Sequence, residues 1–137
     1  MSKVLILCTG NSCRSQMAEG LISNFFPEME VYSAGTKPEK VNPFAVKAMA
    51  EMGVDISANV SNHADEYTQI YFDYVFTVCD NAKEICPIYP KAKQLIHHSF
   101  SDPADATGTE QEQLKVYVAV RDELAQYFKS FFDNESK

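Results

Sequence analysis

The sequence predicts an α/β fold: a single open, parallel, four-stranded sheet with helices on both faces. Three observations predict it. Short apolar runs alternate with helical periodicities along the chain, the first apolar run leads through a glycine-containing loop into a helical stretch, and no repeat, linker or low-complexity tract interrupts the order. Strands separated by helices pair in parallel through right-handed crossovers, and the carboxyl ends of such strands form the edge where chemistry collects. A chain of 137 residues, 45% apolar and 23% charged, fits one domain spanning 1–137 and able to bury its own core.

The elements follow in order. Val4-Leu5-Ile6-Leu7 reads as a buried strand, and Ser15 to Ile22 as the first turns of a helix. Glu30 to Ala34 reads as a second strand. Asn42-Pro43 opens a helix through about Met52, with Ala45, Ala48, Met49 and Met52 at helical spacing, and Gly53 ends it. Tyr67 to Phe72 reads as a short helix, Tyr74 to Val78 as a third strand and Gln94 to Ser99 as a fourth. From Glu110 to Phe132 a long amphipathic helix carries Leu114, Tyr117, Leu124, Phe128 and Phe131 on a face expected in the core.

Between the first strand and the first helix lie Cys8, Thr9, Gly10, Asn11, Ser12, Cys13, Arg14 and Ser15. Backbone N–H groups at such a turn carry positive partial charge and collect tetrahedral oxyanions. Gly10 is expected to let the backbone curl around the anion. Arg14 can add a bidentate pair to two of its oxygens, which lysine cannot reproduce. The same partial charges favour a thiolate, the form that attacks, so Cys8 is a candidate nucleophile. A cysteine at a strand end can instead be a small buried hydrophobe. The spacing to Arg14, in a chain with four cysteines and few arginines, weighs for the functional reading.

Cys13 is expected to pack beneath the loop, and Asn11 to brace it by side-chain hydrogen bonds. Cys79 ends the third strand and Asp102 follows the fourth, so both are expected at the same edge as Cys8. Asp102 precedes Pro103, which reads equally as a turn signal or as a carboxyl placed to protonate a leaving oxygen.

A net charge of −7 argues against nucleic acid or an anionic membrane as partner, so attraction for an anion must come locally from the loop. No apolar stretch approaches membrane-spanning length and no signal-peptide pattern precedes the first strand, so a cytoplasmic location is expected. There, four cysteines are reactive, metal-binding or buried rather than a disulfide framework. His97 and His98 fall on the fourth strand, one expected in the core and one at the surface. His63, near Asp65 and Glu66, lacks the remaining ligands of a zinc site. No metal or organic cofactor is expected.

Six pieces, in order and spanning nearly the whole chain, carry a family resemblance. They are Cys8 through Gly20, Tyr32-Ser33-Ala34-Gly35, Asp55-Ile56-Ser57, Val78-Cys79 through Cys86-Pro87, Asp102-Pro103 and Val120-Arg121-Asp122-Glu123. The chain resembles the low-molecular-weight tyrosine phosphatase superfamily, specifically its thioredoxin-coupled arsenate reductases. The anion loop is specific to the superfamily, whereas Gln16-Met17-Ala18-Glu19 and the downstream cysteine pair point to the reductase branch. The resemblance implies a low-molecular-weight phosphatase-like fold, Cys8 as nucleophile, Arg14 as anion clamp, Ser15 as hydroxyl partner of the thiolate and Asp102 as acid. It further implies Cys79 and Cys86 as a redox couple, arsenate as substrate and thioredoxin as reductant.

Spacing constrains that couple. Along an intact helix Cys79 and Cys86 stand about 10.5 Å apart, whereas a disulfide needs α-carbons within roughly 7 Å. A helix between them must therefore unwind or loop out on oxidation. The alternative activity is a phosphatase, which forms a phosphocysteine at Cys8 and uses neither Cys79 nor Cys86. Ala104-Asp105-Ala106 departs from the aromatic residues that tyrosine phosphatases of this superfamily tend to carry after the Asp-Pro pair. A third reading is a non-enzymatic oxyanion-binding or redox-sensing module. Some reductases of the family hold a potassium ion beside the loop; Asn11, Glu19 and Ser33 match that site but Val60 and Asn62 do not, so no potassium requirement is expected.

Overall fold

The computed structural model describes residues 2–79 and 91–135. Strands β1 (Lys3–Cys8), β2 (Glu30–Gly35), β3 (Phe72–Thr77) and β4 (Ala92–His97) form one all-parallel sheet in the order β2-β1-β3-β4. The register is flush at the carboxyl ends: Cys8 lies opposite Gly35, Leu7 opposite Thr77, and Thr77 opposite His97. The loops that follow these strands therefore leave from one edge. β1 lies between two strands and is covered on both faces, which is why Val4, Leu5, Ile6 and Leu7 form an unbroken apolar run rather than an alternating one.

Helices α1 (Arg14–Phe25), α2 (Pro43–Glu51) and α3 (Glu110–Glu135) share a core with Val4, Ile6 and Phe76. Phe76 meets the rings of Phe128 and Phe131 edge to face, at 4.9 and 5.1 Å between centroids, so the aromatic face of α3 is core as expected. Leu5, Leu7 and Val75 point the other way, and Ala64, Tyr67 and Ile70 cover them. Among the described residues, the helical cover of that second face is the 3-10 turn Ala64–Tyr67.

Local chemistry sets the boundaries of α2. The Asn42 side chain accepts the Phe44 N–H at 2.8 Å and Pro43 takes the first helical position. Gly53, at φ 81°, ends the helix, with its own N–H on the Ala50 carbonyl and the Val54 N–H on that of Met49, both at 3.0 Å. Met52 caps this end outside the helix and is exposed. Arg121 of α3 ties the two helices by donating from Nη1 to the Ala48 carbonyl at 2.7 Å.

Four expectations are corrected. The short helix lies at Ala64–Tyr67, not Tyr67 to Phe72, because His63 starts it: its Nδ1 accepts the Asp65 N–H, and Glu66 accepts the His63 N–H. Phe72 already belongs to β3, which ends at Thr77. β4 runs two residues earlier than Gln94 to Ser99, because it pairs residue by residue with β3 and ends where β3 ends. His97 and His98 are consequently both exposed, His97 bonded to Thr77 Oγ1 at 2.7 Å and His98 packed on the Tyr127 ring beyond the strand. No helix among the described residues is long and apolar enough to cross a membrane.

Candidate active site

The chain leaves β1 at Cys8 and enters α1 at Arg14, and the intervening turn closes on a small cavity. Cys8, Thr9, Gly10, Ser12, Cys13, Arg14, Glu39, Asp102 and Ala104 line this cup of about 120 Å³. No side chain caps the start of α1 and none in its first turn is acidic. Its N-terminal partial charge is thus left for an anion. The curl of the loop comes from Asn11, at φ 49°, and not from Gly10, which has no positive φ. Asparagine tolerates this left-handed conformation better than most side chains.

Arg14 is 3% exposed. Its Nη1 donates to the Phe100 carbonyl at 3.1 Å and its Nη2 lies 3.4 Å from Asp102 Oδ2, so the loop after β4 holds the guanidinium at the cup. Asp102 is a turn residue and also lines the cup. It starts the 3-10 turn Pro103–Asp105 by accepting the Ala104 N–H at 3.0 Å, and the same carboxyl lines the cup.

Asn11 and Ser15 do not line the cavity; they brace it from behind. Cys8 Sγ lies 3.0 Å from Ser15 Oγ, and the direction of that bond follows from the network around it. The Asn62 backbone N–H can only donate, and it meets Asn11 Oδ1 at 2.8 Å. Gln16 Nε2 donates to the same oxygen at 3.1 Å, which turns the Asn11 Nδ2 toward Ser15 Oγ at 2.7 Å. Having accepted from Asn11, Ser15 has its own proton to give to Cys8.

Cys13 is buried, with Ser12 Oγ at 3.6 Å and the Tyr117 hydroxyl at 3.9 Å. Burial pushes its thiol up to about 11, so Cys13 stays protonated near neutrality, packed in the core while also lining the cup. Cys79 is fully buried two residues past β3 and is disulfide-bonded, whereas Cys8 and Cys13 are free. Cys79 stands at the same sheet edge as Cys8 without lining the cup. Cys86, and the expected helix between it and Cys79, lie outside the described residues.

The residues that match a potassium site bond to one another and to their neighbours. Glu19 Oε1 accepts the Ser33 hydroxyl at 2.7 Å and Oε2 faces the Asn59 amide at 3.3 Å, while the Asn11 carbonyl accepts Ser61 Oγ at 2.7 Å. Each of these oxygens accepts a protein donor, and no step below runs through a cation. Among the described residues no three His, Cys, Asp or Glu side chains group as metal ligands.

Four residues had no role in the sequence reading. Glu39 lines the cup, Gln16 and Asn62 orient Asn11, and Gly35 lets β2 reach the loop. Gly35 stood in a motif without a reason. Glu39 had no local signal, because only the pairing of residues 37–39 with the loop brings it there.

The family model for low molecular weight phosphotyrosine protein phosphatase matches residues 3–136. An arsenate reductase of Halalkalibacterium halodurans is 46% identical over 129 residues, 93% of either chain. A solved arsenate reductase in the phosphate binding state superposes with a TM-score of 0.83 at 27% identity, covering 98% of both chains. The thioredoxin-dependent arsenate reductase of Corynebacterium glutamicum superposes at 0.66 with 26% identity, covering 95% of this chain and 61% of that one. The chain belongs to the low molecular weight phosphotyrosine protein phosphatase family, on its arsenate reductase branch.

Proposed function

We propose that this arsenate reductase reduces its substrate through a Cys8, Cys79, Cys86 relay recharged by thioredoxin. The Cys8 thiolate, receiving the Ser15 proton as a hydrogen bond, attacks arsenic held by Arg14 and the backbone N–H groups. Asp102, which lines the cup beside Arg14, is the acid of this cycle. It gives a proton to the departing oxygen, which leaves as water or hydroxide, and a Cys8 S–As(V) bond remains.

Cys79 then attacks Cys8 Sγ. The S–As pair passes to arsenic, which becomes As(III) and leaves as arsenite, and a Cys8–Cys79 disulfide forms. Cys86 attacks Cys79, frees Cys8 and leaves a Cys79–Cys86 disulfide, which a dithiol reduces. The thioredoxin dependence of the Corynebacterium glutamicum relative supports thioredoxin in that place.

One observation carries this reading over hydrolysis: Cys79 is held in a disulfide at the sheet edge where Cys8 is free. Hydrolysis of a phosphocysteine has no use for a second, oxidisable thiol there. The small cup and the short Ala104 side chain at its rim also suit an inorganic oxyanion. Thioredoxin-coupled arsenate turnover of wild type, Cys79→Ser and Cys86→Ser is the test. Turnover should vanish in both variants while any hydrolysis of an aryl phosphate persists. Arsenate turnover surviving in either variant removes that cysteine from the cycle.

A further inference from the structure

We propose that Glu39 makes the cup selective for oxyanions that carry a proton, admitting hydrogen arsenate and hydrogen phosphate and refusing sulfate. The proposal rests on the reading of the Cys8 to Arg14 loop as the oxyanion site.

Two carboxylates, Asp102 and Glu39, line a cavity that holds one guanidinium. Glu39 keeps its place by its backbone. Its N–H donates to the Gly10 carbonyl at 2.8 Å, and the Lys37 N–H donates to the Thr9 carbonyl at 2.9 Å. The segment is therefore tied to the loop at two successive carbonyls. The Glu39 carboxylate reaches over Gly10, with Oε2 3.6 Å from the point where a side chain on Gly10 would begin. It is exposed, and among the described residues no ion pair neutralises it.

An ionised carboxylate only accepts hydrogen bonds. Against an oxygen without a proton it repels. Against an O–H it forms a short, charge-assisted bond. Arsenate and phosphate keep at least one proton throughout the neutral range, whereas sulfate keeps none. The other groups around the cup cannot tell them apart. Arg14 and the backbone N–H groups donate to any tetrahedral oxyanion, and the Ser12 and Thr9 hydroxyls rotate to donate or accept. Asp102 is committed to giving its proton to the departing oxygen. The Cys8 thiolate faces the central atom it attacks, so Glu39 is the acceptor that remains for the ligand's oxygens, and a repulsive contact against the wrong ligand is an effective source of specificity.

The test is protection of Cys8 from alkylation by iodoacetamide in the full-length protein, titrated with phosphate and with sulfate and read by peptide mass. Wild type should be protected by phosphate at a concentration at least tenfold lower than by sulfate. Glu39→Gln, whose amide can also donate, should bind sulfate at least fivefold more tightly and narrow that ratio. Glu39 is exposed, so the variant should fold as wild type does. Equal protection by both anions in wild type, or a ratio that Glu39→Gln leaves unchanged, overturns the role of Glu39 while phosphate protection upholds the oxyanion site. Failure of phosphate to protect wild type overturns both.

Discussion

At Gly35 the cup depends on the absence of a side chain. Gly35 ends β2 opposite Cys8, and its N–H donates to the Asn62 carbonyl at 2.9 Å. A Cβ there would press into the Thr9 carbonyl oxygen and come within 3.0 Å of the Asn11 nitrogen and the Cys8 oxygen. All three are backbone atoms, which cannot turn aside as a side chain can. Gly10 is the contrasting case: a Cβ would meet Ser12 Oγ at 3.3 Å and the end of the Glu39 side chain at 3.6 Å, both movable. Gly35→Ala should therefore cost about 3 kcal/mol in urea unfolding and most of the turnover, and Gly10→Ala less than about 1 kcal/mol. Equal costs at the two positions would show that the approach of β2 does not shape the loop. At this scale the sequence was most legible where residue type is tied to chemistry, as with Cys8, Arg14 and Asp102, which the fold brings to one cavity. It was silent where a residue acts by what it lacks, as at Gly35, or through a long-range backbone pairing, as at Glu39.

The first turns of α1 pair a polar inner face with an apolar one. Ser15, Gln16 and Glu19 lie on the side of Asn11, Asn59 and Ser33, while Met17, Ala18, Leu21 and Ile22 enter the core. Asn59 Nδ2 bridges Gln16 Oε1 at 3.1 Å and Glu19 Oε2 at 3.3 Å, so the Glu19 carboxylate ends the same network that orients Ser15 toward Cys8. Burial raises the Glu19 carboxyl above its ordinary 4.5, against the opposing effect of its hydrogen bonds from Ser33. The sign of the pH effect follows. Below 4.5 the group is protonated in the folded and unfolded chain alike, and the stability tied to its neutral form is fully present. As the pH rises through the raised folded value, the unfolded chain releases the proton more readily and that stability is lost. Wild type should therefore lose stability relative to Glu19→Gln as pH climbs from 4.5 through the mildly acidic range. Thermal unfolding of both proteins across that range measures it, and a constant difference would contradict a burial penalty at Glu19. Element boundaries were legible where a local cap decides them, as with Asn42 and Gly53 around α2. They were missed where pairing decides, as in β4, whose limits β3 sets, and where His63 served as an unexpected cap.

Across the whole molecule, the cup is where distant parts of one chain meet. The end of β1, the start of α1, residues 37–39 and the turn at Asp102 all line it or bond to it, and Asn62 reaches it from behind. Arg14 finds its carbonyl partner, Phe100, 86 residues along the chain. The alternation of strands and helices made a parallel sheet legible, and parallel pairing aligned the strand ends. Which loops would close over that edge was not legible, since each contact joins segments whose sequences carry no mark of one another. A ligand in such a place should stabilise the global fold, because it binds only when all these segments are assembled. Phosphate at about a hundred times its dissociation constant should add about 2.7 kcal/mol to the unfolding free energy. For a chain of 137 residues that is a rise in Tm on the order of 10 °C. Arg14→Lys keeps the charge but loses the planar fork that meets two oxygens at once, so at the same phosphate concentration its own Tm should rise by less than half as much. The comparison is between shifts, with and without phosphate, so any cost of the substitution to the unliganded fold cancels. A wild-type Tm indifferent to phosphate, or an equal shift in Arg14→Lys, would show that the guanidinium held by Phe100 and Asp102 is not what joins an oxyanion to the stability of the sheet.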